Sequence, residues 1–224
     1  MNSSEIVIFV ATGILPGIFA ITVHELAHGW VANKCGDQTA FMMGRITLNP
    51  FKHIDIVRTI IMPLFTYFFF NVFFAGAKPV PVAWHNLRHP RRDMALVAAA
   101  GPAANLLMAI GWGLIGKLAS LVSPDASLVL SMVGHFFLLA GYLGVLINCI
   151  LLIFNLIPIP PLDGSRIVSS ILPAQAAQIY EKIESYGIFI LIILVYVDFN
   201  FTHILLRSLH FLLFSILNTL GLQI

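Results

Sequence analysis

The chain has 224 residues, of which 59% are hydrophobic and only 10% charged, and its mean hydropathy is +0.94. Soluble domains carry about 25% charged residues, so this chain has too few charges to coat a water-facing surface. A net charge of +2 gives no basic footprint for nucleic acid. The two cysteines, Cys35 and Cys149, cannot build a disulfide framework, and neither lies in a CxxC pair. These limits predict an all-α polytopic membrane protein, folded as a single membrane-embedded domain over residues 1–224.

The first apolar run, Ile6–Ala32, exceeds the roughly 20 residues a helix needs to cross a bilayer. The start MNSSE lacks the basic flank of a signal peptide, so the run is expected to stay as a helix. It ends in HELAHGW, His24–Trp30. A mixed stretch, Asn33–Asp55, contains AFMMGRITLN, whose β-branched residues suggest a short strand or hairpin. Ile56–Phe74 is apolar again, but Met62-Pro63 interrupts it. In AKPVPVAW, Ala77–Trp84, prolines at alternate positions suit an extended edge segment and no helix.

A basic stretch, HNLRHPRRDM, leads into a helix over Asp93–Ser120 that carries GPAAN at Gly101–Asn105. The break SPDAS separates it from the span Leu128–Ile157, which runs into PIPPLDG. Pro173–Tyr186 is amphipathic, and Ile188–Val197 and Thr202–Leu220 belong to the last spans, joined at VDFNF. The expected architecture is about five to six membrane helices, a short membrane-associated β element and one re-entrant or interfacial segment.

Titratable side chains at membrane depth are costly, and each marks a functional site by default. HELAH is HExxH, and residues i and i+4 share one helix face. His24 and His28 can therefore converge on one metal ion. Glu25 stands one residue along, where it can act as general base on a water that the ion activates. Zinc suits imidazole nitrogen at about 2.0–2.1 Å, and catalytic sites keep three protein ligands. A third ligand is needed at similar depth. Asp163 is the acidic residue next to the end of the Leu128–Ile157 span, where Pro158, Pro160 and Pro161 break the helix. Taken alone, Asp163-Gly164 reads more simply as a helix-terminating turn.

HELAH, GPAAN and NLIPIPPLDG, in this order, resemble the site-2 protease family of intramembrane zinc metalloproteases. GRITLNP and AKPVPV are similar to segments of its bacterial and archaeal members. The resemblance implies that His24, His28 and Asp163 bind one zinc ion and that Glu25 is the catalytic base. It implies hydrolysis of peptide bonds in or near transmembrane segments of membrane proteins. It also implies a minimal core without PDZ or CBS domains. Asn105 and Asn155 match polar positions near the active site, where an amide can hold substrate or the developing oxyanion; helix–helix hydrogen bonding is the other reading of both. Where relatives have proline and glycine after His53-Ile54-Asp55, this chain has Ile56-Val57-Arg58. His53 and Asp55 are then either an alternative ligand pair or, preferably, a polar interfacial turn.

The order of the motifs constrains the topology. His24 and His28 lie near the C-terminal end of their helix, and Asp163 lies just past the end of its own. The two helices must run the same way, so an odd number of crossings separates them. Two apolar runs lie between them, Ile56–Phe74 and the one starting at Asp93, and the Met62-Pro63 break and basic flank nominate Ile56–Phe74 as the one expected not to cross. Lys34, Arg45, Lys52, Arg58, Lys78, Arg88, Arg91, Arg92, Arg166 and Lys182 fall on the face of the site, with Lys117 and Arg207 on the other, which makes the site's face cytoplasmic. Two other classes fit an intramembrane His–Asp cluster: a metal transporter, and an inactive relative that binds membrane proteins. The glutamate of HExxH and the single cluster weigh against the first, and the intact ligand set against the second.

Overall fold

The structure is a computed structural model that describes residues 3–70, 76–123, 126–197 and 199–222. Four of its helices are long and apolar enough to cross a membrane. They belong to α1 (Ser3–Lys34), α4 (Pro90–Ala119), α5 (Leu128–Asn155) and α9 (Phe199–Thr219). Between them lie α2 (Thr39–Met42), α3 (Met62–Phe70), α6 (Asp163–Ile171), α7 (Ala174–Glu181) and α8 (Gly187–Val197). Pro124 and Asp125 of the expected SPDAS break, and Asp198 of the expected VDFNF turn, lie outside the described residues.

Packing is built on small residues, which let apolar helices approach closely where no hydrophobic drive joins them. Gly116 of α4 meets Gly141 of α5 backbone to backbone, and Gly144 lies against the Trp112 ring. Farther down the same seam Asn105 meets Asn148. Numbers rise along α4 as they fall along α5, so these helices are antiparallel. Gly13 of α1 lies against Leu143, and Gly17 against Ile147, so α1 and α5 run parallel. The ends of α1 and α5 therefore reach the same side, as the order of the motifs requires.

α9 begins with Phe201 and Leu205 against Ile157, Leu162 and Leu191. It ends with Leu217 against Ala109, Trp112 and Val145, and Lys117 Nζ donates to the Gly221 carbonyl at 3.0 Å. It thus runs away from the Asp163 end. Arg207, expected on the far face, sits less than two turns beyond Phe201, in the half of α9 nearer Asp163.

The expected five to six spans are not reached among the described residues. α8 has 11 residues, which at 1.5 Å each cover about half of a 30 Å hydrocarbon layer. The run from Ile56 forms a π-helical turn, Ile56–Ile61, followed by the 9-residue α3. Its two limbs meet. Thr59 Oγ1 donates to the Gly76 carbonyl at 2.8 Å, and the Lys78 amide donates to the His53 carbonyl at 2.8 Å. The segment leaves and returns at one place; its residues 71–74 lie outside the described part.

No strand occurs among the described residues. Thr39–Met42 of the expected hairpin is a single helical turn, followed by Gly44 at φ 62. Residues 76–83 form no helix, but Trp84, the end of the segment expected to be extended, opens a short 3-10 turn, Trp84–Asn86, and no neighbouring strand pairs with residues 76–83. Side chains bind this strap instead. Arg45 donates to the carbonyls of Lys78 and Pro79, Glu25 accepts from the Val80 amide, and Asp37 accepts from the Ala83 amide. Pro79 and Pro81 remove two ladder donors, so side-chain partners replace the ladder.

Candidate metal centre

The helical spacing of HELAH puts both imidazoles on one face of α1, with His24 Nε2 and His28 Nε2 3.0 Å apart. That face meets α4 at Gly101. A Cβ built there would run into both rings, the nearest atom being His28 Nε2. Only glycine leaves room for them. One turn to either side of it, α4 supplies a partner for each outer nitrogen. His28 Nδ1 donates to the Val97 carbonyl at 2.7 Å, and His24 Nδ1 faces Asn105 Oδ1 at 2.6 Å. A carbonyl only accepts, so the His28 proton is on Nδ1. The same donation to Asn105 Oδ1 leaves both Nε2 lone pairs pointing inward.

Asp163 closes the cluster. The chain turns through Ile157–Leu162, with a cis Pro160-Pro161 bond, and Asp163 opens α6. Gly164 packs directly on the Leu156 and Ile157 carbonyls, where a Cβ would not fit. Asp163 Oδ2 lies 3.3 Å from His24 Nε2 and 3.3 Å from His28 Nε2. It is buried and has no hydrogen-bond partner. Three acceptor atoms, all within 4.8 Å of one another, thus face one point with no donor between them. A cation there turns mutual repulsion into attraction. Ligand atoms about 2.0–2.1 Å from a tetrahedral zinc stand about 3.3 Å apart, close to the observed separations. The donor set and its spacing fit a zinc ion.

Glu25 lies beside the cluster on α1. Its Oε2 accepts the Val80 amide at 2.9 Å, which fixes the carboxylate through one oxygen. The strap that supplies this amide packs tightly on α1, with Val80 against Gly29 together with Ala40 and Ile46. Asp37 is fully buried and receives Thr39 N, Thr39 Oγ1, Ala83 N and Asn86 Nδ2. Arg166, one turn beyond Asp163, lies over the Trp84 ring at 5.0 Å, tying the end of the strap to α6.

The sequence candidates separate on this geometry. His24, His28 and Asp163 come together, and Glu25 stands next to them. Asn105 is fully buried, and its amide is committed to His24, to the Asn148 Oδ1 at 2.9 Å and to the Ala20 carbonyl at 3.4 Å. Its amide thus sits behind the His24 imidazole. Asn155 Nδ2 donates to the Leu151 carbonyl of its own helix at 3.0 Å. His53 Nε2 is 3.0 Å from the Thr47 carbonyl, and Asp55 Oδ1 accepts the Val57 amide, so each has a partner in its own local turn and neither belongs to the His24–His28–Asp163 cluster.

Sequence reading missed Asn148, which donates to the Gly144 carbonyl and holds Asn105. Its signal was a lone amide in the middle of an apolar span. It also gave no role to Arg45 or Asp37, whose partners in the strap are backbone groups 33 to 46 residues away.

The family model described as Peptidase family M50 matches residues 115–197, a range that holds Asp163 but not HELAH. The chain is 36% identical over 178 residues to the Bacillus subtilis protein named "Putative zinc metalloprotease YwhC", a match covering 79% of this chain and 76% of that protein. It is 28% identical over 178 residues to "Putative zinc metalloprotease Rip2" of Mycolicibacterium smegmatis, covering 79% of this chain and 63% of that longer protein. No solved structure matches the chain.

Proposed function

Because the chain belongs to peptidase family M50, the site-2 protease family, and is a zinc metalloprotease of the membrane, we propose that it cuts peptide bonds in or near transmembrane segments of membrane proteins. The observation that carries this reading is the buried, unpartnered Asp163 Oδ2 facing two imidazoles on a membrane-spanning helix. His24, His28 and Asp163 are the residues to hold one zinc ion. The ion, when bound, supplies a Lewis acid that polarises a carbonyl and brings the pKa of water down to about 7.

This chain's own residues do the rest. Asn105 and the Val97 carbonyl hold the two imidazoles in the ligating tautomer. Glu25, fixed through Oε2, takes a proton from the attacking water on its other oxygen. Water oxygen bonds to the scissile carbonyl carbon, the C–N bond breaks, and Glu25 returns the proton to the leaving nitrogen. A helical substrate hides its amides, so it must unwind first. The strap beside Glu25 has most of its backbone groups committed to Arg45, Glu25, Asp37 and His53, so strand addition of an unwound segment would use the groups these partners leave.

The site lies at the cytoplasmic side on this reading. Among the described residues, Lys117 alone of the 12 Lys and Arg residues stands at the far end of the helices, and the positive-inside rule then sets the orientation. The re-entrant Ile56–Phe74 segment is consistent with limbs that meet at Thr59 and Gly76.

The test is cleavage of a model transmembrane substrate by the pure protein in lipid, in water enriched in oxygen-18. One heavy oxygen in a new C-terminus inside the apolar segment is expected. A cut confined to soluble flanks, or no cut with zinc bound, would overturn the reading.

A further inference from the structure

Arg45 is 7% exposed, yet no ion pair joins it to a carboxylate among the described residues, and its Nε has no hydrogen-bond partner. A buried cation without a counter-charge is costly. Its visible contacts are two backbone carbonyls. Nη2 donates to Lys78 O at 3.0 Å and, more weakly, to Pro79 O at 3.4 Å.

The Pro79 carbonyl belongs to the same peptide unit as the Val80 amide. That bond is trans, since the cis bond of the described chain is Pro160-Pro161. In a trans peptide the C=O and N–H point opposite ways across one rigid plane. Arg45 holds one end of the plane, and Glu25 Oε2 accepts from the other at 2.9 Å. Pro81 restricts the preceding Val80 to extended backbone, which limits how far the plane can turn about the Val80 φ. Donation into the carbonyl also polarises the unit and strengthens its N–H as a donor.

The geometry points to Arg45 as a positioning residue for the catalytic base: by gripping the Lys78 and Pro79 carbonyls it sets the 79–80 peptide so that its amide holds one oxygen of Glu25 and leaves the other for water. Both bonds come from Nη2, so the lysine ammonium, a point charge on a flexible stem, can replace them only in part. This inference rests on Glu25 being the base.

The experiment compares Arg45→Met, Arg45→Lys and Glu25→Gln in lipid, reading kcat, KM, zinc content and melting temperature on one transmembrane substrate. A small misplacement of a catalytic group costs up to about 100-fold in rate. Arg45→Met is therefore expected to lower kcat by about 10- to 100-fold, with KM and zinc content close to the parent, and Arg45→Lys to fall between the two. Parent kcat in Arg45→Met overturns the inference. So does a joint loss of zinc, KM and kcat that lysine does not rescue. If Arg45→Met does not fold, Arg45→Lys decides: a lowered kcat with normal zinc supports the role, and an unchanged kcat overturns it. An active Glu25→Gln would instead overturn the reading of the base.

Discussion

At the scale of single residues, the centre depends on what α4 leaves out as much as on what α1 supplies. Gly101 is the space in which two imidazoles stand. Gly101→Ala is expected to weaken zinc binding by about 100-fold, at the upper end of effects from residues behind metal ligands, measured by competition with a chelator. Asn105→Ala removes the acceptor behind His24 and is expected to cost about 10- to 100-fold in metal affinity. Asn155→Ala removes only a bond within its own helix and should leave metal binding at the parent level. The His24–His28 pair was legible because titratable side chains four apart on a helix are costly in an apolar span. Gly101 was not, because a glycine in sequence does not say what fills the place of its side chain.

At the scale of elements, the strap is the feature that sequence patterning described least well. Alternating prolines predicted a segment without helix, and residues 76–83 form none. The expected strand pairing is replaced by bonds from side chains far away in the chain, which no local period reports. Asp37 is the clearest case. Burial pushes its carboxyl up, but the hydrogen bonds from Thr39, the Ala83 amide and Asn86 outweigh that and hold it below the usual carboxylate range. A carboxyl held low in the folded state stabilises above its unfolded pKa of about 3.9 and loses that contribution as pH falls through the folded value. The melting temperature in detergent is expected to fall below about pH 4, and Asp37→Asn should flatten that fall. The helix seams make a second prediction. A Cβ at Gly141 would stand 2.6 Å from Gly116 Cα, and backbone cannot yield as a side chain can. Gly141→Leu should therefore separate α4 from α5 and lower the melting temperature, whereas Gly111→Leu, at a position with nothing within 4 Å, should not.

At the scale of the whole molecule, direction of travel matters more than the number of helices. The parallel course of α1 and α5, with α4 antiparallel between them, is what brings His24, His28 and Asp163 to one end. Motif order made that course legible. It did not reveal the course of α9, because apolar composition gives length but no direction. With Cys35→Ser as background, His85→Cys should resist an impermeant thiol reagent in intact cells, and Leu121→Cys at the opposite end should react. The reverse pattern would turn the site to the other side of the membrane.

On the proposed function, a zinc-holding cluster and a separate base act together on peptide bonds in the membrane. Glu25→Gln in lipid tests both halves at once, by metal analysis and by cleavage of a transmembrane substrate. The substituted amide keeps the size of the side chain but cannot take a proton, and position 25 supplies no ligand to the cluster. Zinc content equal to the parent and loss of cleavage are expected. Cleavage that survives, or zinc that disappears with the glutamate, would contradict the proposed function.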